Sequence, residues 1–290
     1  MKEFSEPMHA MIQVQNGICI VKESSVEIYD FEENEVVNSH HFDDVILKCV
    51  VFQEVLIICF DNEIVQLNLN DFKELFRLDL EDEIRDICIH NDIIVLCFQN
   101  RLGKIEKNGT IILGPVDENL NLSTLSSTGE YFIAADFESK LIYFDDQFSI
   151  AKQLDYSSAL EQMSENPPFP LIIKTVKDLV LIGTLNGCVL VVSPKPIYCE
   201  HSRRIRYTLI KGSHIYRVEC HNYVISDIVI NEGHMFISSN DRSVSHFELS
   251  TKLEFKKKYN LEMRAESLLL QDDVMFVCGV DEPFFTKINL

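Results

Sequence analysis

Seven times along the chain a short apolar run is followed by a polar turn and then by a second strand-like run. The first four copies begin at Gly17, Val55, Ile93 and Tyr131, a spacing of 38 residues, and three more begin at Leu179, His234 and Val274. Runs of Val, Ile, Leu and Phe interrupted by about three polar residues predict β-hairpins, and helical periodicity is nearly absent. Upstream of each hairpin lies a further strand-like segment, at 10–14, 45–52, 84–90, 120–125, 171–176, 224–230 and 266–270. Outer-strand candidates follow at 35–42, 74–78, 110–113, 150–154 and 253–259.

Four strands in each of seven units predict an all-β chain, a seven-bladed β-propeller of four-stranded blades. The expected blades are 9–42, 43–80, 81–114, 118–156, 170–212, 220–259 and 262–290 completed by 1–8, within a single domain of residues 1–290. The seventh unit runs out after its third strand at Leu290, so residues 2–6 are expected to supply the fourth strand and close the ring. An open ring would leave two apolar blade faces in water. At about 25 cal/mol per Å² over several hundred Å², that costs on the order of 10 kcal/mol, comparable to the stability of a whole domain.

Forty-six acidic against 26 basic residues give a net charge of −20. Such a charge repels phosphate backbones and is compatible with a basic protein partner. Nine cysteines form no C-x-x-C pair, and most sit inside apolar runs, among them Cys19, Cys59, Cys97 and Cys278. Cysteine used as a small buried hydrophobe points to a reducing compartment. The first residues, acidic and proline-containing, do not read as a signal peptide, and no apolar run approaches the ~18 residues of a membrane span. The expectation is an intracellular protein of the cytoplasm or nucleus, with no membrane contact.

The hairpins resemble the second half of the WD repeat. At the tryptophan position of that family stand Tyr29, Leu67, Ile105, Phe144, Val192, Phe247 and Ile288, all apolar or aromatic. At its aspartate position stand Asp30, Asn68, Glu106, Asp145, Ser193, Glu248 and Asn289, all polar. The sixth unit is the best preserved, with Cys220-His221 in place of Gly-His and with Ser239 and Asp241 in their positions. The resemblance implies a buried structural network Asp241–His221–Ser239 rather than a hydrolase triad. It also implies a scaffold that binds other proteins, as a subunit of a multiprotein complex. The alternatives are an escort for a basic client such as a ribosomal protein or histone, and an enzyme with a loop-built site in the propeller axis.

Neither a phosphate-binding glycine loop nor a catalytic constellation is apparent, and no cofactor or metal is expected. His40, His41, Asp43 and Asp44 have metal-ligand chemistry, but adjacent histidines on a strand point to opposite faces. Candidate binding residues come from the two breaks in the 38-residue rhythm. The first break, 156–170, offers Leu160, Met163 and Phe169 as exposed apolar anchors, after a helical turn with a capping box from Ser158 to Glu161. The second concentrates Arg203, Arg204, Arg206, Lys211 and Arg217. Only through this basic stretch is direct nucleic-acid contact expected. An outer strand whose arginines pair with nearby acids is the competing reading of it.

Overall fold

The computed structural model describes residues 8–14, 17–106, 109–160, 169–199, 204–249, 252–279 and 285–290. These form seven sheets, antiparallel apart from one two-residue pair, built in order from strands within 8–41, 48–79, 86–113, 122–155, 170–193 with 205–219, 225–260 with 198–199, and 265–289. Four sheets have four strands in sequence order, and the seventh has three among the described residues. The described residues divide into two compact units, one within 1–84 and 261–290 and the other within 85–260. Blades seven, one and two belong to the first, and blades three to six to the second.

The strand patterns have one physical cause. Middle strands are covered on both faces, so Gly17–Lys22, Phe132–Asp136 and Cys188–Ser193 are buried at every position. Outer strands are exposed at most positions, as in Glu74–Asp79 and in Ile150–Asp155, where only Leu154 is buried. Each inter-blade core joins neighbouring sheets. One such cluster sets Leu181, Val189 and Tyr216 of blade five against Met235, Ile237 and Phe247 of blade six. Another sets Met8, Ile18 and Ile20 of blade one against Phe276, Cys278 and Phe285 of blade seven, so the first and last blades pack together. The strand expected from residues 2–6 lies outside the described residues.

Blades five and six depart from the expected plan. The spacing ends blade five at 212, but its fourth strand is Ser213–Glu219, paired with Cys188–Ser193. A fifth strand, Ile205–Ile210, pairs with that one. The basic stretch is therefore a hairpin, because Lys211 (φ 46°) and Gly212 (φ 80°) both take the left-handed region that a two-residue type I′ turn requires. On the way there, Tyr198–Cys199 leaves blade five and pairs in parallel with Lys252–Asn260, the outer strand of blade six. That sheet thereby gains a fifth strand as well.

Candidate docking site on blades four to six

Three consecutive hairpins, in blades four, five and six, share one turn geometry. The loops 137–139, 185–187 and 240–242 each have three residues and end in the left-handed region, at Ser139 (φ 64°), Gly187 (φ 84°) and Arg242 (φ 64°). Aligned by sequence, the residue after the first apolar run is Glu23, Asp61, Gln99 and Asn240 in repeats one, two, three and six, but Phe137 and Leu185 in repeats four and five. The turns of the first three repeats contain no left-handed residue and differ in geometry.

The first insertion supplies a third apolar side chain beside them. Phe169 meets Phe137 edge to face at 5.4 Å, and its carbonyl accepts the Leu185 N–H at 3.0 Å. Tyr223 of blade six stands at the same end. A Cβ on Gly187 would fall 2.4 Å from the His221 carbonyl oxygen and 2.8 Å from that of Tyr223, so only glycine lets these two segments approach. Phe169, Leu185 and Tyr223 are 36%, 44% and 64% exposed. The guanidinium of Arg85 lies over the Phe137 ring at 5.5 Å and is anchored at the Leu122 carbonyl. Four apolar or aromatic side chains thus come from neighbouring segments: Phe137 and Leu185 on hairpin turns, Phe169 against Phe137, and Tyr223 on the leading loop of blade six, with the Arg85 cation over Phe137.

Other expected site residues fare differently. Leu160 is buried, not exposed. Its helix, Ser157–Leu160, turns Ala159 and Leu160 into the core shared by blades four and five. The cap is Asp155, whose carboxylate accepts the Ser157 N–H at 2.9 Å, and hydrogen bonds from Ser157 hold its pKa below the usual carboxylate range. Glu161 of the expected capping box, Met163 and Arg203 lie outside the described residues. Arg217 is 4% exposed and faces inward, donating to Glu219 at 2.7 Å and to the Ala159 carbonyl at 3.3 Å. Arg206, half exposed, lies 3.4 Å from the same Glu219 oxygen. Arg204 sits over the Phe255 ring of blade six at 4.7 Å, and Lys211 is exposed at the hairpin tip.

The polar network of blade six exists, with one member exchanged. His221 Nδ1 lies 3.0 Å from Asp241 Oδ1 and 3.0 Å from Ser243 Oγ, and the Ser243 hydroxyl donates to Asp241. His221 Nε2 lies 3.1 Å from the Ile237 carbonyl oxygen. Ser239, the expected partner, instead donates to the Tyr223 carbonyl at 3.1 Å and accepts the Asp241 N–H at 3.2 Å. Ser239 and Ser243 are cross-strand neighbours, so both hydroxyls lie on one face and divide the available acceptors between them. Lys258 Nζ completes the site, 3.1 Å from Asp241 Oδ2. Burial pushes the His221 pKa down. Burial works the other way on Asp241, but hydrogen bonds from Ser243, His221 and the Asn222 N–H outweigh it and hold that carboxyl low.

The cysteine thiols are buried or half-buried, and burial raises the pKa of Cys49, Cys88 and Cys188 to about 12. Among the described residues no group of three His, Cys, Asp or Glu side chains is placed to hold a metal. His40, His41, Asp43 and Asp44 line a groove of about 150 Å³ with Glu63 and Arg77.

No protein-family model matches the sequence, and no match is found among curated proteins. Solved structures do match. The β-propeller domain of Cps50 (Swd1) from Myceliophteria thermophila superposes with a TM-score of 0.76 at 9% identity, over 99% of this chain and 97% of that one. The WD40 β-propeller domain of Doa1 gives 0.73 at 12% identity, over 99% and 93% of the two chains. The computationally designed Ika8 protein gives 0.72 at 9% identity, over 100% and 98%. The fold is a seven-bladed β-propeller. At these identities the likeness carries the architecture alone. What can bind here has to be read from the side chains of blades four to six.

Proposed function

We propose that this propeller is a non-catalytic, protein-binding scaffold, a WD-repeat-like subunit of a multiprotein complex, and that partners dock on the turn end of blades four to six. The observation that carries this reading is the group Phe137, Phe169, Leu185 and Tyr223. Large, partly exposed apolar and aromatic side chains grouped at one end of neighbouring blades are what an interface core needs. The triad-like residues support a non-catalytic reading. The His221 side chain is fully buried and Ser243 is 1% exposed, so no substrate reaches either. Free thiols in buried positions support a reducing compartment, cytoplasm or nucleus.

The test is affinity capture with the wild-type chain and with the triple variant Phe169→Ala, Leu185→Ala, Tyr223→Ala. The reading expects specific partners to be lost at least about tenfold while the fold, followed by circular dichroism, is retained. A net charge of −20 favours a second reading, an escort for a basic client. That reading predicts capture that fails as salt rises from about 0.1 M to 0.5 M and that ignores the triple variant.

A further inference from the structure

The outermost strand of a blade is a sheet edge, and exposed edges invite pairing unless something blunts them. In blades one, two, four and six the outer pairing is broken by an irregularity at Tyr29, Leu67, Phe144 and Phe247. Blade three has an outer strand of only three residues, Ile111–Leu113. Blade six adds the covering pair Tyr198–Cys199. Ile205–Ile210 in blade five has none of these devices. Its register with Ser213–Glu219 is unbroken, it contains neither lysine nor proline, and Tyr207 and Leu209 are 53% and 57% exposed.

The direction of its backbone groups follows from the turn. A two-residue hairpin loop makes Ile210 and Ser213 a hydrogen-bonded pair, and bonded pairs then alternate along the ladder. The Glu219 N–H donates to the Arg204 carbonyl at 2.8 Å, in phase with that alternation. The N–H and C=O groups of Ile205, Tyr207 and Leu209 therefore point away from the sheet, and no described strand receives them.

We propose that this edge takes up an extended acidic segment of a partner protein, which adds as a sixth strand to blade five. The idea rests on the scaffold reading above and supplies a binding mode and a partner class. Charge selects the occupant. Arg204, Arg206 and Lys211 flank the edge, whereas a second copy of the chain would bring its own charge of −20. Side-chain alternation sets the pattern, since Tyr207 and Leu209 lie on one face and Arg206 and Thr208 on the other. The incoming strand alternates apolar residues beside Tyr207 and Leu209 with a carboxylate that shares Arg206 with Glu219.

The probe is a fluorescein-labelled octapeptide of alternating Glu and Val, titrated with the whole chain and followed by anisotropy. Binding should weaken with salt. N-methylation of one alternate set of peptide amides should weaken it about tenfold or more, and of the other set less than about twofold. Arg206→Glu should also weaken it about tenfold, with the circular dichroism spectrum unchanged. Equal sensitivity to both methylation patterns would reduce the contact to charge alone and overturn strand addition. Absence of binding to the wild type would overturn it too. A dimer seen in sedimentation and abolished by Leu209→Lys would assign the edge to a second copy instead. The scaffold reading is judged separately, because its triple variant leaves residues 205–210 untouched.

Discussion

In blade six the outermost strand of its hairpin core, Lys252–Asn260, carries four lysines, a register irregularity and a covering strand. In blade five the outermost strand, Ile205–Ile210, has one arginine and an unbroken register. The interiors contrast as well. Blade six ties its turn down through His221, Asp241, Ser243 and Lys258. Blade five relies on Thr184, whose hydroxyl oxygen accepts the Cys188 N–H at 3.2 Å and lies 2.7 Å from Asn186 Oδ1, and on Gly187 packed against the leading loop of blade six. The two blades share a core, so the difference is not one of packing quality. It separates a blade whose outer edge is irregular and partly covered from one whose outer edge is regular and open.

The largest expected effect comes from breaking the polar network of blade six. His221→Ala should cost about 2–3 kcal/mol in urea unfolding, because Asp241 loses a buried partner and the Ile237 carbonyl loses its neighbour. Ser243→Ala should cost more than Ser239→Ala, by roughly 1 kcal/mol, reversing the order expected from the repeat pattern. Equal costs would remove the assigned geometry. Next comes Arg217→Ala, at about 1–3 kcal/mol, since the side chain is buried against Glu219 and Ala159.

Acidification sharpens the same contrast. The His221 pKa is lowered in the fold from 6.5, so its contribution is complete above that value. The contribution is lost as pH falls toward the folded-state pKa, because the unfolded chain binds the proton first. Asp241, also lowered, adds stability above the ordinary carboxylate range and loses it only at more acid pH. The difference in urea midpoint between wild type and His221→Gln should shrink between pH 7 and pH 5. A constant difference would contradict the burial assigned to this ring. The smallest effect is expected at the open edge, where Leu209→Lys should change stability by less than about 0.5 kcal/mol.

Much of the architecture was legible because one constraint repeats. A middle strand covered on both faces must be apolar throughout, and VLIICF or LVLIGT can hardly be anything else. The departures were not legible for equally physical reasons. A two-residue parallel pairing such as Tyr198–Cys199 has no periodicity to read. Whether Arg206 and Arg217 face out or pair with Glu219 depends on a turn type, and Lys211-Gly212 was the signal for it. Leu160 has the chemistry of an exposed anchor, and only the direction of its helical turn buries it. The proposed docking residues left a trace that composition hides, apolar Phe137 and Leu185 at a turn position where repeats one, two, three and six carry polar residues. Phe169 was found from the insertion; Tyr223 required the close approach at Gly187.

Hydrogen–deuterium exchange on the native complex, compared with the chain alone, tests the central claim most directly. The account predicts that partner binding slows exchange in the turns 137–139 and 185–187 and in the segment 222–224, with the edge 205–210 protected in addition where an acidic strand is bound. Unchanged exchange in all three turn-end segments, with protection confined to other blades, would contradict it.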